Sequence, residues 1–189
     1  NIRENKDLFD FDKVYSIKDL NFLRRYAEKL IRRFWLGYYP YHYQNAQEHN
    51  VQLLHAHSGT QGVAALALAK ALGVPLITSF YGADMFRHVE GVNALRERYL
   101  QLFVDGMLFF VEGPFAQNRL VSLGCPIEKI AIVHIGADLS KLKYVPRKIS
   151  ETDSVFVLMA STFTEKKGME YGVEAFCQAA HQDDRLQLT

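Results

Sequence analysis

The sequence predicts an α/β fold built on a doubly wound, parallel sheet. Short apolar runs alternate along the chain with stretches of helical apolar spacing, and this alternation of strands and helices is typical of parallel sheets. The apolar runs are nearly continuous, as expected of strands that helices cover on both faces. A polar stretch at 139–153, after which the strand–helix pattern starts again, predicts a second domain.

The elements before this stretch follow from apolar spacing and from the residues that end helices. We expect a helix over 18–38, where apolar side chains recur at helical spacing. Gly73 and then Pro75 close a second helix over 62–72, in the usual order of a glycine followed by a proline. Proline also favours the first helical turn, and Pro114 occupies such a position. The predicted strands are 51–57, 74–80, 107–111 and 129–133, and the remaining helices are 92–104 and 114–124.

The same alternation of strands and helices predicts the domain boundaries. We expect residues 1–138 to form an N-terminal α/β domain, residues 139–153 a linker, and residues 154–189 the start of a second domain. The second domain opens with the apolar run 155–160 and continues into a helix that begins at Gly168. The chain starts without a methionine or a signal-peptide pattern and stops within an apparent strand, so both domains are expected to be incomplete.

Composition and charge exclude several classes of protein. The chain has 22 basic and 21 acidic side chains, and this balance argues against a dedicated nucleic-acid binder. Cys125 and Cys177 are the only cysteines, too few for a disulfide scaffold or a thiolate metal site. No apolar run approaches the roughly 20 residues of a membrane-spanning helix. We therefore expect a cytoplasmic protein, with the inner face of the membrane as an alternative location.

Polar residues gather where the predicted strands end. In an open parallel sheet, ligands bind outside the carboxyl ends of the strands, so side chains in these loops are expected to line a cleft. His55 and His57 are two apart on one strand, a spacing that a metal could use, but no third ligand is evident. The candidate cleft residues are His57, Ser58, Gly59, Tyr81, Gly82, Asp84, Glu112 and Gly136.

The segment Glu165–Gly168 is the strongest chemical signal in the sequence. It carries Lys166 and Lys167 in the loop between a predicted strand and the helix that opens at Gly168. Unpaired N–H groups and a partial positive charge at a helix N-terminus attract anions, and lysines add charges suited to phosphate. The arrangement predicts a ligand that carries a diphosphate. The alternative is a solvated lysine pair at the start of a helix.

Five segments together resemble the group 1 (family 4) glycosyltransferases, in particular the enzymes of surface-polysaccharide assembly. They occur in the order found in that family and cover most of the chain from Val51 onward. The resemblance implies a GT-B fold of two Rossmann-like domains, with a nucleotide-sugar donor held mainly by the second and the acceptor by the first. It also implies that the sugar is transferred with retention at the anomeric carbon and that the reaction needs neither a metal nor another cofactor. The five segments are 54–57, 78–84, 124–130, 134–138 and 165–168.

The resemblance assigns donor-binding roles by position. Lys167 matches the lysine that contacts the donor diphosphate, and Gly168 follows it. Relatives usually carry an arginine where this chain has Thr162, and Lys166 is the candidate to compensate for it. Fixed cations and helix N-termini would stabilise the charge that the departing diphosphate gains, without a metal.

The resemblance also assigns the catalytic candidates, Tyr81 and Asp84. Tyr81 stands where many relatives place a histidine near the donor sugar, and Asp84 matches the acid that closes that motif. An aspartate after a glycine can also serve only to stabilise a turn. The two departures from the family pattern, Tyr81 and Thr162, leave a non-catalytic nucleotide-sugar-binding module as one alternative function. A GT-B sugar-nucleotide epimerase is another.

A basic and aromatic segment over 20–43 has two interpretations. Interfacial helices use such residues to lie on anionic membranes, and acceptors in the family that the sequence resembles are often lipid-linked. Many helices that cover a sheet carry the same pattern, however. The predicted partners are therefore a nucleotide-sugar donor and a saccharide or lipid-linked acceptor, with peripheral membrane contact as a further hypothesis.

Overall fold

The computed structural model describes residues 14–86, 93–136, 138–146, 150 and 153–189. The chain divides into two compact units, with the division between Gly136 and Ala137. Part of the predicted linker lies outside the described residues, and so does residue 92, the predicted start of a helix. Among the described residues, no helix is long and apolar enough to cross a membrane.

The first unit is built on a parallel sheet, which confirms the predicted fold class. Its strands stand side by side in chain order, β1-β2-β3-β4, and every neighbouring pair is parallel. The register pairs His57 with Ser79 and Ser79 with Phe110, so the carboxyl ends of the first three strands are level. The strands are β1 (Leu54–His57), β2 (Leu76–Ser79), β3 (Leu108–Val111) and β4 (Ile130–Ile132).

The observed strands are shorter than the sequence predicts, most clearly at β1. Its predicted start at Val51 is wrong because the Val51 N–H donates to the Ala46 carbonyl (2.9 Å) and so completes the end of the preceding helix. Pairing with β2 begins at Leu54. Apolar character alone does not separate residues of a helix end from those of the strand that follows.

Helices connect and precede these strands. The helices of the first unit are α1 (Phe22–Ile31), α2 (Pro40–Glu48), α3 (Gly59–Leu72), α4 (Asn93–Asp105) and α5 (Pro114–Ser122). The single helix predicted over 18–38 is wrong: α1 starts after Asn21, whose side chain accepts a hydrogen bond from the Arg24 N–H (2.9 Å). After α1 the backbone widens into a π-helical turn, Arg32–Leu36, and Gly37 ends it at φ +77°. Pro40 then starts a separate helix, α2.

An aromatic cluster forms the core of the first unit. The Phe103 and Phe109 rings meet edge to face with centroids 5.3 Å apart, and Phe80 meets Tyr99 at 5.7 Å. Edge-to-face pairs of this kind add about 0.5–1.5 kcal/mol to the free energy of burial. The largest fully buried side chains among the described residues are Leu76, Thr78, Phe80, Met85, Tyr99, Leu102, Phe103, Phe109, Val111 and Leu120.

Two glycines let α3 approach this core closely. A Cβ added at Gly59 would overlap the Phe80 ring and the Tyr99 hydroxyl, and one at Gly62 would lie 2.7 Å from Thr78 Oγ1. Any larger residue would therefore push α3 away from β2. This close contact fixes the first turn of α3 at the carboxyl edge of the sheet.

The second unit contains one parallel β–α–β arrangement among its described residues. Strand β5 (Val155–Val157) pairs in parallel with β6 (Leu186–Leu188), and α6 (Met169–Ala180) connects them. The predicted helix start at Gly168 is confirmed, since this residue adopts φ +64° and α6 begins at the next position. A 3₁₀ turn, Glu165–Lys167, stands directly before it.

Candidate functional site

Asp84 holds together two loops at the carboxyl edge of the first sheet. Its side chain is only 4% exposed, and its carboxylate accepts hydrogen bonds from the backbone N–H groups of Gly59 (2.8 Å) and Tyr81 (3.2 Å). The Tyr99 hydroxyl donates to the Asp84 carbonyl (2.9 Å). Burial, and to a smaller extent the Asp84 charge, raises the pKa of Tyr99 and keeps it a donor. Asp84 therefore positions the 81–84 loop against α3, and a catalytic role for it stays a prediction.

Ser58 and Gly59 form the junction between β1 and α3. Ser58 caps the helix, since its Oγ accepts from the Gln61 N–H (3.3 Å), and its backbone adopts φ +128°. Non-glycine residues in such conformations are strained and concentrate at functional sites. The Gly59 N–H, which could otherwise bind an anion at the start of α3, is occupied by the Asp84 carboxylate. The protein thus supplies its own anion at this helix N-terminus.

A row of hydroxyl and imidazole groups crosses the ends of β1 and β2. The Tyr81 hydroxyl lies 2.8 Å from His57 Nδ1, and the two rings are nearly parallel. The His57 and His55 ring centroids are 4.3 Å apart, and His55 Nε2 lies 2.8 Å from Ser79 Oγ. The structure therefore joins two predicted site residues, Tyr81 and His57, by a direct hydrogen bond.

The surroundings of His55 disfavour its protonation. Burial, followed by the charge of neighbouring His57, lowers the pKa of His55 and so favours its neutral form. One nitrogen of each ring is engaged by a hydroxyl group. Within the described ranges, no group of three or more histidine, cysteine or acidic side chains could hold a metal. The pair is arranged for hydrogen bonding, and the expectation of no metal stays a prediction.

A cavity of about 320 Å³ opens beside this row. Of the predicted site residues it brings together Tyr81 and Glu112, while His57, which is hydrogen-bonded to Tyr81, does not line it. His134, two residues after the end of β4, also lines it. It was absent from the candidate site, although the sequence places it at the same sheet edge. The full lining is His55, Ser79, Phe80, Tyr81, Phe110, Val111, Glu112, Val133, His134 and Ile135.

The two other glycines of the predicted cleft lie outside this cavity. Gly82 adopts φ +104°, a conformation that glycine accepts readily, and so forms the turn between Tyr81 and Asp84. Nothing lies within 4 Å of a Cβ added at Gly82 or Gly136, so neither backbone packs closely against another part of the described protein.

The predicted donor site in the second unit surrounds the start of α6. A cavity of about 330 Å³ there is lined by Phe163, Thr164, Glu165, Gly168, Met169, Glu170 and Tyr171. Gly168 is in this lining, whereas Thr162, Lys166 and Lys167 are not. The side chains of Lys166 and Lys167 are exposed and make no hydrogen bond or ion pair with the described part of the chain. Their donor-binding roles stay predictions.

The family of the chain follows from sequence comparison. Residues 9–141 match the sequence model of Glycosyltransferase Family 4. The putative colanic acid biosynthesis glycosyltransferase WcaL of Escherichia coli K12 is 35% identical over 130 residues, which cover 67% of this chain and 31% of WcaL. The amylovoran biosynthesis glycosyltransferase AmsK of Erwinia amylovora is 30% identical over 122 residues, or 63% of this chain and 29% of AmsK. The matched region thus spans about a third of each relative.

Solved structures support the same fold. HepE from Anabaena, in complex with UDP and glucose, superposes with a TM-score of 0.59 at 15% identity, over 84% of this chain and 43% of HepE. Its complex with UDP-glucose gives a TM-score of 0.53 at 14% identity, over 80% of this chain and 51% of HepE. With the matched region covering the parallel sheet and its carboxyl edge, the chain belongs to glycosyltransferase family 4 and has the Rossmann-like architecture of the GT-B class.

Proposed function

We propose that the full-length protein transfers a sugar from a nucleotide-sugar donor to a saccharide or lipid-linked saccharide of a surface polysaccharide, with retention of anomeric configuration. Membership of glycosyltransferase family 4 supports the reaction class. The relatives named for colanic acid and amylovoran biosynthesis support a polysaccharide product. UDP-glucose is the first donor to test because HepE, which shares the fold, was solved with it.

The observation that carries this proposal is the cavity at the carboxyl ends of the first sheet. Tyr81 is 44% exposed there, and its hydroxyl is held by His57 at 2.8 Å. When His57 Nδ1 carries its proton, the phenol oxygen accepts that hydrogen bond and its own O–H is available for a sugar hydroxyl or for the leaving oxygen. Preorganised donors of this kind stabilise developing charge without reorganisation.

The departing diphosphate is neutralised, in this proposal, by Lys167 and Lys166 and by backbone N–H groups at the start of α6. Thr162 replaces the arginine usual in relatives and supplies no charge. The loss of one charge-assisted hydrogen bond weakens an interaction by about 1.5–3 kcal/mol, which is about tenfold or more in affinity. No bound metal is required.

The test is product analysis with the full-length protein. Nucleotide sugars are incubated with saccharide and lipid-linked acceptors, and NMR of the product determines the anomeric configuration of the new linkage. Acceptor-dependent product with the configuration of the donor supports the proposal. Donor binding without product would indicate a non-catalytic module, and an isomerised donor formed without an acceptor would indicate an epimerase.

The proposed location is the cytoplasm, where nucleotide sugars would be the co-substrates. A lipid-linked acceptor would also require the enzyme to reach the inner face of a membrane. Peripheral membrane contact is therefore part of the same proposal.

A further inference from the structure

Helix α1 and the π-helical turn after it present apolar side chains outward, whereas Glu28 and Arg32 face the protein. Leu23 and Trp35 are each 78% exposed, whereas Glu28 is only 5% exposed. The Glu28 carboxylate accepts a hydrogen bond from the Tyr41 N–H (3.0 Å), and Arg32 donates to the Tyr39 hydroxyl (2.9 Å). These polar contacts hold α1 against α2. Charged residues therefore fix the orientation of α1, and the apolar residues of its other side remain exposed in the described protein.

The exposed apolar residues form one continuous stripe, here called the outer face of α1. Phe22, Tyr26, Leu30 and Phe34 follow at intervals of four, which places them above one another on a helix. Phe34 and Trp35 are in the π-helical turn, which continues the stripe beyond the end of α1. Helices on a folded surface normally bury such a stripe, and a contiguous exposed one marks an interaction site. The outer face consists of Phe22, Leu23, Tyr26, Leu30, Phe34 and Trp35.

Cations without acidic partners border the outer face. Lys29 and Arg33 are in the same helical turns as the stripe, and together with Arg98 of α4 they line a cavity of about 700 Å³. Its other lining residues are Arg32, Gly37 and Tyr39, so no carboxylate faces it. Lys29, Arg33 and Arg98 form no salt bridge with the described residues, in contrast to Lys70, which pairs with Asp105 at 2.5 Å.

We propose that the outer face of α1 docks onto an anionic lipid bilayer, with lipid phosphates in the cavity between Lys29, Arg33 and Arg98. A bilayer surface offers an apolar layer for the aromatic rings and phosphates for the cations at the same depth. Tryptophan and tyrosine are enriched at this boundary. Lipid phosphates would supply the negative charge that the lining of this cavity lacks.

This inference deepens the proposed function, since it names the surface through which the enzyme would reach a membrane that carries the acceptor. The proposed function explains why the protein would bind a membrane, and only that explanation rests on it. Lipid binding follows from the charges and apolar residues of α1 and can be measured without any sugar donor.

The first experiment is co-sedimentation of the full-length protein with phospholipid vesicles. We expect binding to vesicles of phosphatidylglycerol and phosphatidylcholine, at least tenfold weaker binding to phosphatidylcholine alone, and weaker binding as salt is added. The triple variant Lys29→Glu, Arg33→Glu, Arg98→Glu and the triple variant Phe22→Ser, Phe34→Ser, Trp35→Ser should each bind anionic vesicles at least tenfold more weakly.

Matched controls come from exposed residues after Gly136. Lys143→Glu reverses one exposed charge, and Tyr144→Ser removes an aromatic ring that is 87% exposed. Both should bind vesicles as the wild type does. Absence of wild-type binding to anionic vesicles, or unchanged binding by both triple variants, would overturn the proposal.

A second experiment asks whether another part of the full-length chain covers this face. With Phe34→Cys, a water-soluble maleimide followed by peptide mapping should label position 34 rapidly, and anionic vesicles should slow that labelling at least fivefold. Protection of position 34 without vesicles would show cover by the protein itself and refute the proposal. Sugar transfer to a water-soluble acceptor, measured in parallel, reports on the proposed function separately: its absence alongside intact vesicle binding would refute only that function.

Discussion

The buried Asp84 carboxylate accepts a 2.8 Å hydrogen bond from the backbone N–H of Gly59. This contact joins the loop after β2 to the first turn of α3, and a second one from the Tyr81 N–H (3.2 Å) closes the loop on itself. Both loops carry candidate site residues. The geometry of the cavity beside Tyr81 therefore depends on a carboxylate that does not itself line that cavity.

Asp84→Ala should destabilise the protein by about 1–3 kcal/mol, because two backbone donors lose their buried acceptor. Asp84→Asn keeps one oxygen acceptor and should lose less. The free energy of unfolding in urea measures both effects. Equal stability of wild type and Asp84→Ala would contradict the positioning role of this residue.

Gly59→Ala should destabilise the protein by about 1–3 kcal/mol, the usual effect of an added methyl group in a packed core. The new Cβ would overlap the Phe80 ring and the Tyr99 hydroxyl. Gly113→Ala is the matched control, since nothing lies within 4 Å of a Cβ there and the backbone is extended. Thermal unfolding should separate the two variants clearly, and similar melting temperatures would refute the close packing of α3.

The imidazole of His55 should titrate below the ordinary histidine pKa of about 6.5, since burial and the charge of His57 both disfavour its protonation. The unfolded chain then binds a proton more readily than the folded one. The contribution of His55 to stability is therefore full above pH 6.5 and falls as the pH drops from there to the folded-state pKa.

Histidine NMR titration measures this shift directly. Burial also lowers the pKa of His42. This residue should therefore titrate below the ordinary value too, and it contributes to the loss of stability in the same pH range. Replacing His55 by Gln should remove part of the stability loss on acidification and leave the part due to His42. An ordinary or raised pKa for His55 would contradict the interpretation.

Lys167→Ala in the full-length protein should weaken donor binding about tenfold or more, because one charge-assisted contact to the diphosphate is lost. Lys143→Ala removes an exposed lysine outside the predicted site and should leave donor affinity unchanged. Calorimetric titration with a nucleotide sugar gives both values. If Lys167→Ala binds as tightly as wild type, this residue does not belong to the donor site.

Much of the fold could be predicted from the sequence, because continuous apolar runs identify covered parallel strands and Gly73 with Pro75 marks a helix end. The break in the helix predicted over 18–38 could not be predicted, because the apolar spacing reaches Phe34 and gives no sign of the turn that Gly37 ends. Periodicity also identifies the apolar stripe of α1 but not the side that faces the protein. The hydrogen bond between Glu28 and the Tyr41 N–H decides that orientation, and it depends on how α2 packs.

The candidate site was predictable only in part. Parallel strands end at one sheet edge, so Tyr81 and Glu112 could be expected to share a cleft, and they do. The pairing of His57 with Tyr81 depends on strand register, which the lengths of the connecting segments do not reveal. The structural role of Asp84 could not be predicted either, because its partner Gly59 is in another loop and their contact also depends on strand register.

The most direct test compares sugar transfer by the full-length wild type with transfer by Tyr81→Phe, which removes only the hydroxyl held by His57. Acceptor-dependent product that retains the anomeric configuration of the donor is expected for the wild type. For Tyr81→Phe we expect kcat at least tenfold lower, which corresponds to about 1.4 kcal/mol of transition-state stabilisation, and a donor affinity within about threefold of wild type. Equal kcat for the two proteins would contradict the role assigned to the cavity at the carboxyl edge of the sheet, and an inverted product would contradict the proposed stereochemistry.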